Sequence, residues 1–306
     1  MLSILIPTYN TNLHPLVSEL QAQLNDYQIE YEIIISDDAS SDTSVRFHNA
    51  LLAEQDHVQY IQHEQNIGRS KIRNSLADAA KYPTLLFMDC DARVKSNDYI
   101  SKYLHYLDEK NLQGTDFVVL GGLSYREMRP EKTKLLRYRY GIKREVRPAY
   151  ERNRDPYRAF TPFNMLISKS VFEKCRFEES LKQYGYEDTF FGIGLKKCGI
   201  PVYHIDTELY HEGIDTNELL LDKVAAGVAN LVNLQSHNKL DDKFLAVSTL
   251  LATYQKLKRT LSGRFTLSLL SKIKQPLRNI ASTYNSLMFL DLYKLAVMHN
   301  LLNSDE

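Results

Sequence analysis

Apolar residues form short unbroken runs through the first 120 residues, and each run is followed by a stretch with apolar residues at helical spacing. Short apolar runs predict strands that are buried on both faces. The predicted strands cover residues 2–6, 31–36, 58–62, 84–88 and 117–120. The predicted helices cover residues 13–24, 43–53, 69–80 and 97–108. This alternation predicts an α/β fold with a mainly parallel central sheet flanked by helices.

A basic stretch interrupts this pattern between residues 126 and 158. It holds 12 Lys and Arg against 5 Asp and Glu, with tyrosines interleaved, and shows no clear periodicity. We expect a long, partly mobile excursion, because a loop of this length in a compact domain is usually functional or disordered. Regular patterns then return with a strand at 164–168, a helix at 187–198 and a strand at 202–205.

The pattern is helical from about residue 216 to the end, which predicts a domain over 1–215 and a helical extension over 216–306. Residues 253–302 carry 8 Lys and Arg and one Asp, interleaved with apolar side chains. This composition suits helices that lie on an anionic membrane surface, and it equally suits helices packed on the core with their charges in water. Gly263 and Pro276 are expected to divide the segment into separate helices.

The composition indicates a folded intracellular protein. The 38 basic and 38 acidic residues balance, so the net charge points to no particular partner, and we expect no nucleic acid. Three separated cysteines without a C-x-x-C pair indicate neither a disulfide framework nor a zinc site. The apolar N-terminal run stops at Pro7 without a basic flank, so it does not resemble a signal peptide. No window approaches the roughly 18–20 apolar residues that span a bilayer. These features predict a cytoplasmic location.

The most informative segment is Asp89-Cys90-Asp91, which directly follows the predicted strand over 84–88. Ligands of parallel α/β sheets bind at the carboxyl ends of the strands. Two carboxylates in a D-x-D arrangement reach one ion if the backbone turns as the strand ends, and such oxygen ligands suit Mn²⁺ or Mg²⁺. A bare pair of this kind also serves as a helix cap, so the other segments decide its meaning.

Two of those segments follow the first two strands. Pro7 opens the stretch PTYN, where proline stops sheet pairing and directs the backbone outward. Asp37 and Asp38 open the stretch DDASSD. A carboxylate in this position accepts hydrogen bonds from the N–H of a base or from ribose hydroxyls. The same stretch is equally compatible with a turn and a helix cap.

Two further segments precede helices. Gly68 permits an unusual backbone angle where a helix opens, and Arg69, Lys71 and Arg73 are placed to face diphosphate oxygens. Because no G-x-G-x-x-G occurs in the chain, a metal and cations would neutralise the phosphates. Glu187 and Asp188 begin a later helix, where the helix dipole favours acidic residues and where a general base would also be well placed.

A late histidine, His211, follows a short strand and is a candidate third metal ligand. The order of the segments resembles family 2 glycosyltransferases, through strand-PTYN, strand-DDASSD, N-x-G-x-x-x-x-R-N, strand-DCD, GYED and this histidine. The matches cover about residues 1 to 213. The resemblance implies the A-type glycosyltransferase fold, a nucleotide-sugar donor, a divalent metal and inversion at the anomeric carbon.

The resemblance also implies a role for each matched residue. The residues of the nucleoside pocket would be Pro7, Thr8, Tyr9, Asp37 and Asp38. The residues near the ribose, the diphosphate and the donor sugar would be Asn66, Gly68, Arg73, Asp89 and Asn164. The metal ligands would be Asp91 and His211, and the general base would be Asp188 with Glu187 beside it. One departure is Ile72, which stands where the family usually has Ala before the Arg-Asn pair.

The donor is expected to be a UDP-sugar, and the transferred group a hexose or N-acetylhexosamine. The expected acceptor is a glycan or lipid-linked glycan of a bacterial surface-polysaccharide pathway, at the inner face of the membrane. Three alternatives stay open from the residues alone. They are a nucleotidyltransferase acting on a sugar phosphate, a haloacid-dehalogenase-type phosphatase and a non-catalytic binding module.

Overall fold

A computed structural model describes residues 1–27, 29–158, 160–180, 185–236 and 248–303. The chain divides into two compact units. The first unit comprises Met1–Arg126, Val146–Lys182 and Phe190–Gly213. The second comprises Glu127–Glu145, Gln183–Thr189 and Ile214–Glu306. The second unit therefore contains the predicted helical extension and also two earlier segments that the sequence pattern had grouped with the first domain.

The first unit contains a seven-stranded sheet and a small three-stranded sheet. Within the described residues, the strands are β1 (Leu2–Thr8), β2 (Tyr31–Asp37), β3 (Val58–Gln62), β4 (Thr84–Met88), β5 (Ala92–Val94), β6 (Val118–Leu120), β7 (Leu123–Ser124), β8 (Asn164–Ser168), β9 (Val202–His204) and β10 (Leu209–His211). The large sheet has the order β3-β2-β1-β4-β8-β6-β9, and the small sheet has the order β5-β10-β7. In the large sheet β8 runs antiparallel to both neighbours, and the other pairs are parallel.

Helices cover both faces of this sheet, as the apolar strands require. The helices that begin in the first unit are α1 (His14–Asn25), α2 (Thr43–Ala50), α3 (Arg69–Ala79), α4 (Tyr99–Glu109), α6 (Ala149–Arg152) and α7 (Lys169–Lys174). Helix α8 (Glu187–Lys197) starts in the second unit and continues in the first. Strand β4 is buried throughout, and Phe87 on it stacks on Phe172 of α7 at 5.2 Å between ring centroids. The predicted mainly parallel α/β fold is confirmed.

The second unit is helical. Its helices are α5 (Leu135–Tyr140), α9 (Asn217–Ser236), α10 (Thr249–Lys258), α11 (Leu261–Lys272), α12 (Lys274–Tyr284) and α13 (Leu287–Leu302). Helix α13 contacts α5, α9, α10, α11 and α12. Its sequence is apolar around most of its circumference, as expected for a helix surrounded by others. None of the helices in the described ranges is long and apolar enough to cross a bilayer.

The expected breaks in the C-terminal helices are present but shifted. Helix α11 begins after Thr260, whose side-chain oxygen accepts a hydrogen bond from the backbone N–H of Gly263 at 3.1 Å. Gly263 therefore lies inside the first turn. Pro276 likewise lies in the first turn of α12, where a residue without an N–H is tolerated. The breaks fall at residues 259–260 and 273.

The basic stretch over 126–158 is not the irregular excursion expected from its sequence. It contains α5, a π-helical turn at Gly141–Glu145 and α6. Leu135 and Leu136 are buried, and Arg137 forms an ion pair with Glu145 at 3.0 Å. Helices of six and four residues are too short to produce a recognisable apolar period. This is why the pattern suggested a loop.

Candidate active site

The carboxyl ends of β1, β2 and β4 meet at one edge of the large sheet. Thr8 pairs with Asp37, and Leu5 pairs with Phe87, so the three strands end at similar heights. The segments after these strands therefore emerge side by side, where parallel sheets bind ligands. The structure brings together the three strand-end segments that the sequence singled out.

The two adjacent carboxylates after β2 have different surroundings. Asp37 has no exposed surface, and it accepts hydrogen bonds from the backbone N–H of Ser40 and from the hydroxyl of Tyr60, both at 2.6 Å. Asp38 accepts from the backbone N–H groups of Ile67 at 2.6 Å and of Gly68 at 3.2 Å. Asp37 therefore stabilises the turn that follows β2, whereas Asp38 links that turn by hydrogen bonds to the loop before α3.

The loop before α3 depends on glycine. Gly68 has φ +84° and ψ 163°, a combination that L-residues with a side chain rarely adopt. Asn66 donates from Nδ2 to the carbonyl of Asp38 at 3.2 Å. The predicted N-x-G segment thus lies directly against the predicted Asp pair, and Gly68 opens α3 as expected.

The turn after β1 is joined to the turn after β2. The backbone N–H of Asn10 donates to Ser40 Oγ at 2.8 Å, and the Tyr9 hydroxyl donates to Ser41 Oγ at 3.3 Å. Tyr9 is 47% exposed, so much of its ring is open to a ligand. Thr8 is buried, and its hydroxyl donates to the Thr11 carbonyl at 3.5 Å. The expectation that Pro7 stops the sheet pairing is wrong, because Pro7 pairs with Ser36 and the next residue, Thr8, pairs with Asp37.

Arg73 of α3 forms an ion pair with Asp89, with 2.8 Å between Nη2 and Oδ1. The Arg73 side chain is 7% exposed and the Asp89 side chain 34%. Burial by itself would raise the pKa of Asp89, but the Arg73 guanidinium outweighs it and holds that pKa below its usual range. Sequence reasoning placed Arg73 near phosphates, whereas its described partner is the first Asp of the D-x-D segment. Asp89 is therefore kept ionised at the site edge.

We expect the substitution Arg73→Met to destabilise the chain by about 1–3 kcal/mol at neutral pH, because it leaves the Asp89 carboxylate without this cation. Because the pKa of Asp89 is lowered in the folded chain, its ionised form stabilises the fold above its ordinary pKa of about 3.9. That contribution disappears as the pH falls through the lowered pKa. Urea unfolding should show a difference from wild type that shrinks on acidification, and a pH-independent difference would contradict the assignment.

His211 reaches Asp91 because β10 pairs antiparallel with β5, which places His211 opposite Ala92. The distance between His211 Nε2 and Asp91 Oδ2 is 3.7 Å. The imidazole stacks between Phe163 and Tyr125, at 5.1 and 5.5 Å between ring centroids. Its Nδ1 atom is buried and has no hydrogen-bond partner within the described part of the chain. The two aromatic rings therefore fix the plane of a histidine whose Nε2 faces a carboxylate.

Gly213 makes room for the Asp91 carboxylate. A Cβ atom added at Gly213 would lie 2.0 Å from Asp91 Oδ2. The backbone N–H of Glu212 also donates to the carbonyl of Asp91 at 2.9 Å. The segment after β10 thus lies against Asp91, and a side chain at position 213 would require the Asp91 carboxylate or the backbone to move.

The Asp91–His211 pair fits a divalent ion that is shared with a ligand. One carboxylate oxygen and one imidazole nitrogen face each other, and the carboxylate suits Mn²⁺ or Mg²⁺. Across the described residues, no group of three or more His, Cys, Asp or Glu side chains is arranged to hold a metal by itself. Two protein ligands leave the remaining positions to water and substrate phosphates, which is how Mg²⁺ is commonly bound.

Asn164, which was expected to face the donor sugar, lies in the interior of the first unit. It is completely buried, and its Oδ1 accepts from the hydroxyls of Tyr99 and Tyr103, both at 2.7 Å. Its Nδ2 donates to the carbonyls of Gly122 and Thr207, both at 2.9 Å. Its side chain has no surface through which it could touch a sugar, so Asn164 is a residue that positions the start of β8.

Replacing Asn164 by Ala should destabilise the chain by about 2–4 kcal/mol, because two buried hydroxyls and two buried carbonyls lose a partner together. Urea unfolding measures this difference. Asn97→Ala is the matched control, since Asn97 is exposed in the same unit and should change stability by less than about 0.5 kcal/mol. Equal stability of the two variants would contradict the proposed role.

Glu187 and Asp188 occupy the first turn of α8, in the second unit. Glu187 is buried, and Asp188 is partly exposed. The two preceding residues, Gly185 and Tyr186, have φ values of +98° and +74°. The Gly185 carbonyl accepts a hydrogen bond from Asn230 Nδ2 of α9 at 2.7 Å. A non-glycine residue held in this backbone region costs of the order of 1–3 kcal/mol and is enriched at functional sites. Tyr184 lies outside the described residues.

Sequence reasoning missed the aromatic residues around His211 and a buried group of hydrogen-bonded residues elsewhere in the first unit. Phe163 and Tyr125 flank His211, and the buried Arg152 donates to the carbonyls of Leu120 at 3.1 Å and Ile205 at 2.7 Å. Burial lowers the pKa of His204 to about 4, so its neutral ring accepts from Arg152 at 2.8 Å. No spacing or composition signal links these residues to the motifs, because their contacts depend on the fold.

The model of the family "Glycosyl transferase family 2" matches residues 3–176, more than half of the chain. The chain therefore belongs to family 2 of the glycosyltransferases, as its motif order had indicated. Its fold is the A-type glycosyltransferase fold with additional C-terminal helices. No curated protein sequence matches the chain.

Solved structures share this fold. The mannosyltransferase PcManGT from Pyrobaculum calidifontis, in complex with GDP-Man and Mn²⁺, is similar with a TM-score of 0.61 at 13% identity, over 100% of this chain and 88% of that one. TarS 1-349 from S. aureus in complex with UDP has a TM-score of 0.51 at 17% identity, over 99% of this chain and 91% of that one. At these identities the likeness establishes the fold.

Proposed function

We propose that this protein is a metal-dependent, inverting glycosyltransferase. It transfers a hexosyl or N-acetylhexosaminyl group from a nucleotide sugar, with UDP the favoured nucleotide, to a hydroxyl of a glycan or lipid-linked glycan. The observation that carries the proposal is the Asp91–His211 pair, with 3.7 Å between Nε2 and Oδ2, beside β4 in a family 2 domain. Family membership leaves the phosphatase and nucleotidyltransferase alternatives without support.

The nucleoside is proposed to bind between the turns after β1 and β2. Tyr9 presents an open ring there, and each Asp38 oxygen keeps a lone pair beyond its bond to the backbone of the loop before α3. A ring face and a carboxylate acceptor suit a base with an N–H edge. Asn66 and Gly68 set the shape of this pocket through the loop that they form.

The proposed role of Asp89 is to accept hydrogen bonds from ribose or donor-sugar hydroxyls. Its carboxylate is one-third exposed, and Arg73 keeps it in the acceptor-only ionised form. Arg73 thus acts on the donor through Asp89. The arrangement supports a positioning role for Arg73 in place of the direct phosphate contact that the motif implied.

Asp91 and His211 are the proposed metal ligands. A divalent ion held there would act as a Lewis acid toward the negative charge of the departing nucleoside diphosphate. Phe163 and Tyr125 hold the His211 ring in one plane, and Gly213 leaves the space that the Asp91 carboxylate occupies. These neighbours hold the Asp91 and His211 side chains in place before the metal and the donor bind. Less conformational entropy is therefore lost on binding.

Asp188 is the proposed general base, with Glu187 beside it. Inversion requires a single displacement in which the acceptor hydroxyl loses its proton as it attacks the anomeric carbon. In this proposal the Asp188 carboxylate takes that proton, and the backbone strain at Tyr186 just before it supports a functional role for this turn.

Isothermal titration with UDP and with GDP, each with and without Mn²⁺, tests the proposal. Similar folds bind GDP-Man with Mn²⁺ in one case and UDP in another, so both nucleotides belong in the test. We expect Mn²⁺-dependent UDP binding in the wild type and its loss in Asp91→Ala. The matched control is Asp116→Ala, because Asp116 precedes β6 and lies at the opposite edge of the sheet.

Each outcome of the titrations bears on a different part of the proposal. Metal-dependent binding of GDP in place of UDP would change the donor class but keep the enzyme class. Absence of binding by both nucleotides under all conditions would overturn the proposed activity. Equal binding by wild type and Asp91→Ala would remove Asp91 from the metal site.

A further inference from the structure

Helix α11 has an apolar row that faces water. Leu261, Phe265 and Leu269 are spaced by four residues, so they lie on one face, and they are 84%, 73% and 51% exposed. The opposite face of the helix carries Gly263, Leu267 and Leu270, which are buried, and α11 contacts α13. The exposed row is therefore a second apolar face that the packing of this unit does not use. We call these three residues the α11 row.

The surroundings of the α11 row are basic. Residues 248–290 contain seven Lys and Arg and no Asp or Glu. Arg278 is neutralised by Glu218 and Asp222, at 2.8 Å each. In the part of the chain that the structure describes, no salt bridge joins the other six to a carboxylate. They are Lys256, Lys258, Arg259, Arg264, Lys272 and Lys274. Three large apolar side chains thus project into water amid uncompensated positive charge.

This combination fits an anionic lipid surface. An amphipathic helix lies in a bilayer interface when apolar side chains on one face enter the headgroup boundary and basic residues around them meet anionic lipids. Lys272 lies on the same side of α11 as the row, and Arg264 lies on its flank, as their helical spacing from Leu261 requires. Burial in the protein core, the other interpretation of this segment, accounts for Leu267 and Leu270 but not for the row.

We propose that the α11 row docks the protein on a membrane that contains anionic phospholipids. The docking involves the second unit alone, so it does not depend on the proposed glycosyl transfer.

Flotation of the full-length protein with lipid vesicles tests the proposal. Vesicles of phosphatidylcholine are compared with vesicles that also contain phosphatidylglycerol, at low and at high salt. We expect binding to the anionic vesicles that weakens at high salt. The double substitution Phe265→Ser/Leu269→Ser should lower the partition coefficient by roughly tenfold or more, because two large side chains no longer enter the interface. Arg264→Glu/Lys272→Glu should lower it comparably on anionic vesicles.

Phe47→Ser is the matched control, since Phe47 is a 65% exposed phenylalanine on a helix of the first unit. It should bind vesicles like wild type. Thermal unfolding verifies that the α11 variants remain folded, and UDP titration tests the donor site independently. Deletion of residues 253–306 is unsuitable, because it removes the helix α13 around which the second unit packs.

Three outcomes would overturn the proposal. They are no binding of wild type to anionic vesicles, equal binding to neutral vesicles, and unchanged binding by the α11 double substitution. Size-exclusion chromatography tests whether the α11 row instead mediates self-association of the protein. Self-association that Phe265→Ser/Leu269→Ser abolishes, without vesicle binding, would make the row a contact between copies of the chain.

Discussion

Asp188→Asn should lower turnover by about 10²- to 10⁴-fold while leaving the affinity for the nucleotide nearly unchanged. Asparagine has the same shape but accepts no proton at neutral pH, so it removes the proposed base and little else. The rate of nucleotide release from a panel of nucleotide sugars carrying the nucleotide that binds in the titration, with simple glycosides as acceptors, measures the effect.

The competing explanation of Asp188 is favourable interaction with the N-terminus of α8. That interaction is worth about 0.3–1 kcal/mol of stability and predicts no selective loss of turnover. Glu218→Gln is the control for turnover, because Glu218 is an acidic residue in the first turn of α9 in the same unit. Its stability also includes the ion pair with Arg278 at 2.8 Å, so the two variants are compared by turnover and not by stability. A variant Asp188→Asn that keeps its turnover, or that loses nucleotide binding and stability together, would remove Asp188 from the mechanism.

Gly213→Ala is expected to produce the second large effect, a roughly 100-fold loss of turnover with weakened Mn²⁺-dependent nucleotide binding. The added Cβ would lie 2.0 Å from Asp91 Oδ2, and real Cβ atoms essentially never approach a heavy atom below 3.0 Å. The carboxylate or the end of β10, which carries His211, therefore has to move. A misplacement of about 1 Å at a reacting site costs of the order of 10²-fold in rate.

Gly194→Ala is the control for this substitution. Gly194 lies within α8, and an added Cβ there meets no atom within 4 Å, so Ala should stabilise the helix by up to about 1 kcal/mol. Titration with UDP and Mn²⁺ compares the two variants. Wild-type affinity in Gly213→Ala would mean that the position of the Asp91 carboxylate does not matter for the metal.

The sequence by itself determined the longer strands and helices of the first unit and the segments at the strand ends, but not the short elements β5, β7, β10, α6 and α7. The predicted strands over 58–62, 84–88 and 164–168 coincide with β3, β4 and β8. Strands buried on both faces need uninterrupted apolar runs, and helices on a sheet need apolar residues at helical spacing, so both signals are local. The motifs could be recognised for the same reason, because all of them except GYED, which opens α8, lie within a few residues of a strand end.

Only the tertiary structure decided which side chains meet. The partner of Arg73 is Asp89, from the end of another strand, and the four hydrogen bonds of Asn164 come from segments that are far apart in the chain. His211 faces Asp91 because β10 pairs with β5, more than 100 residues earlier. Likewise, helix α11 has two apolar faces, and only the tertiary structure shows that one is buried against α13 and the other is exposed. Such contacts follow from sheet register and helix packing, which no local spacing of residues encodes.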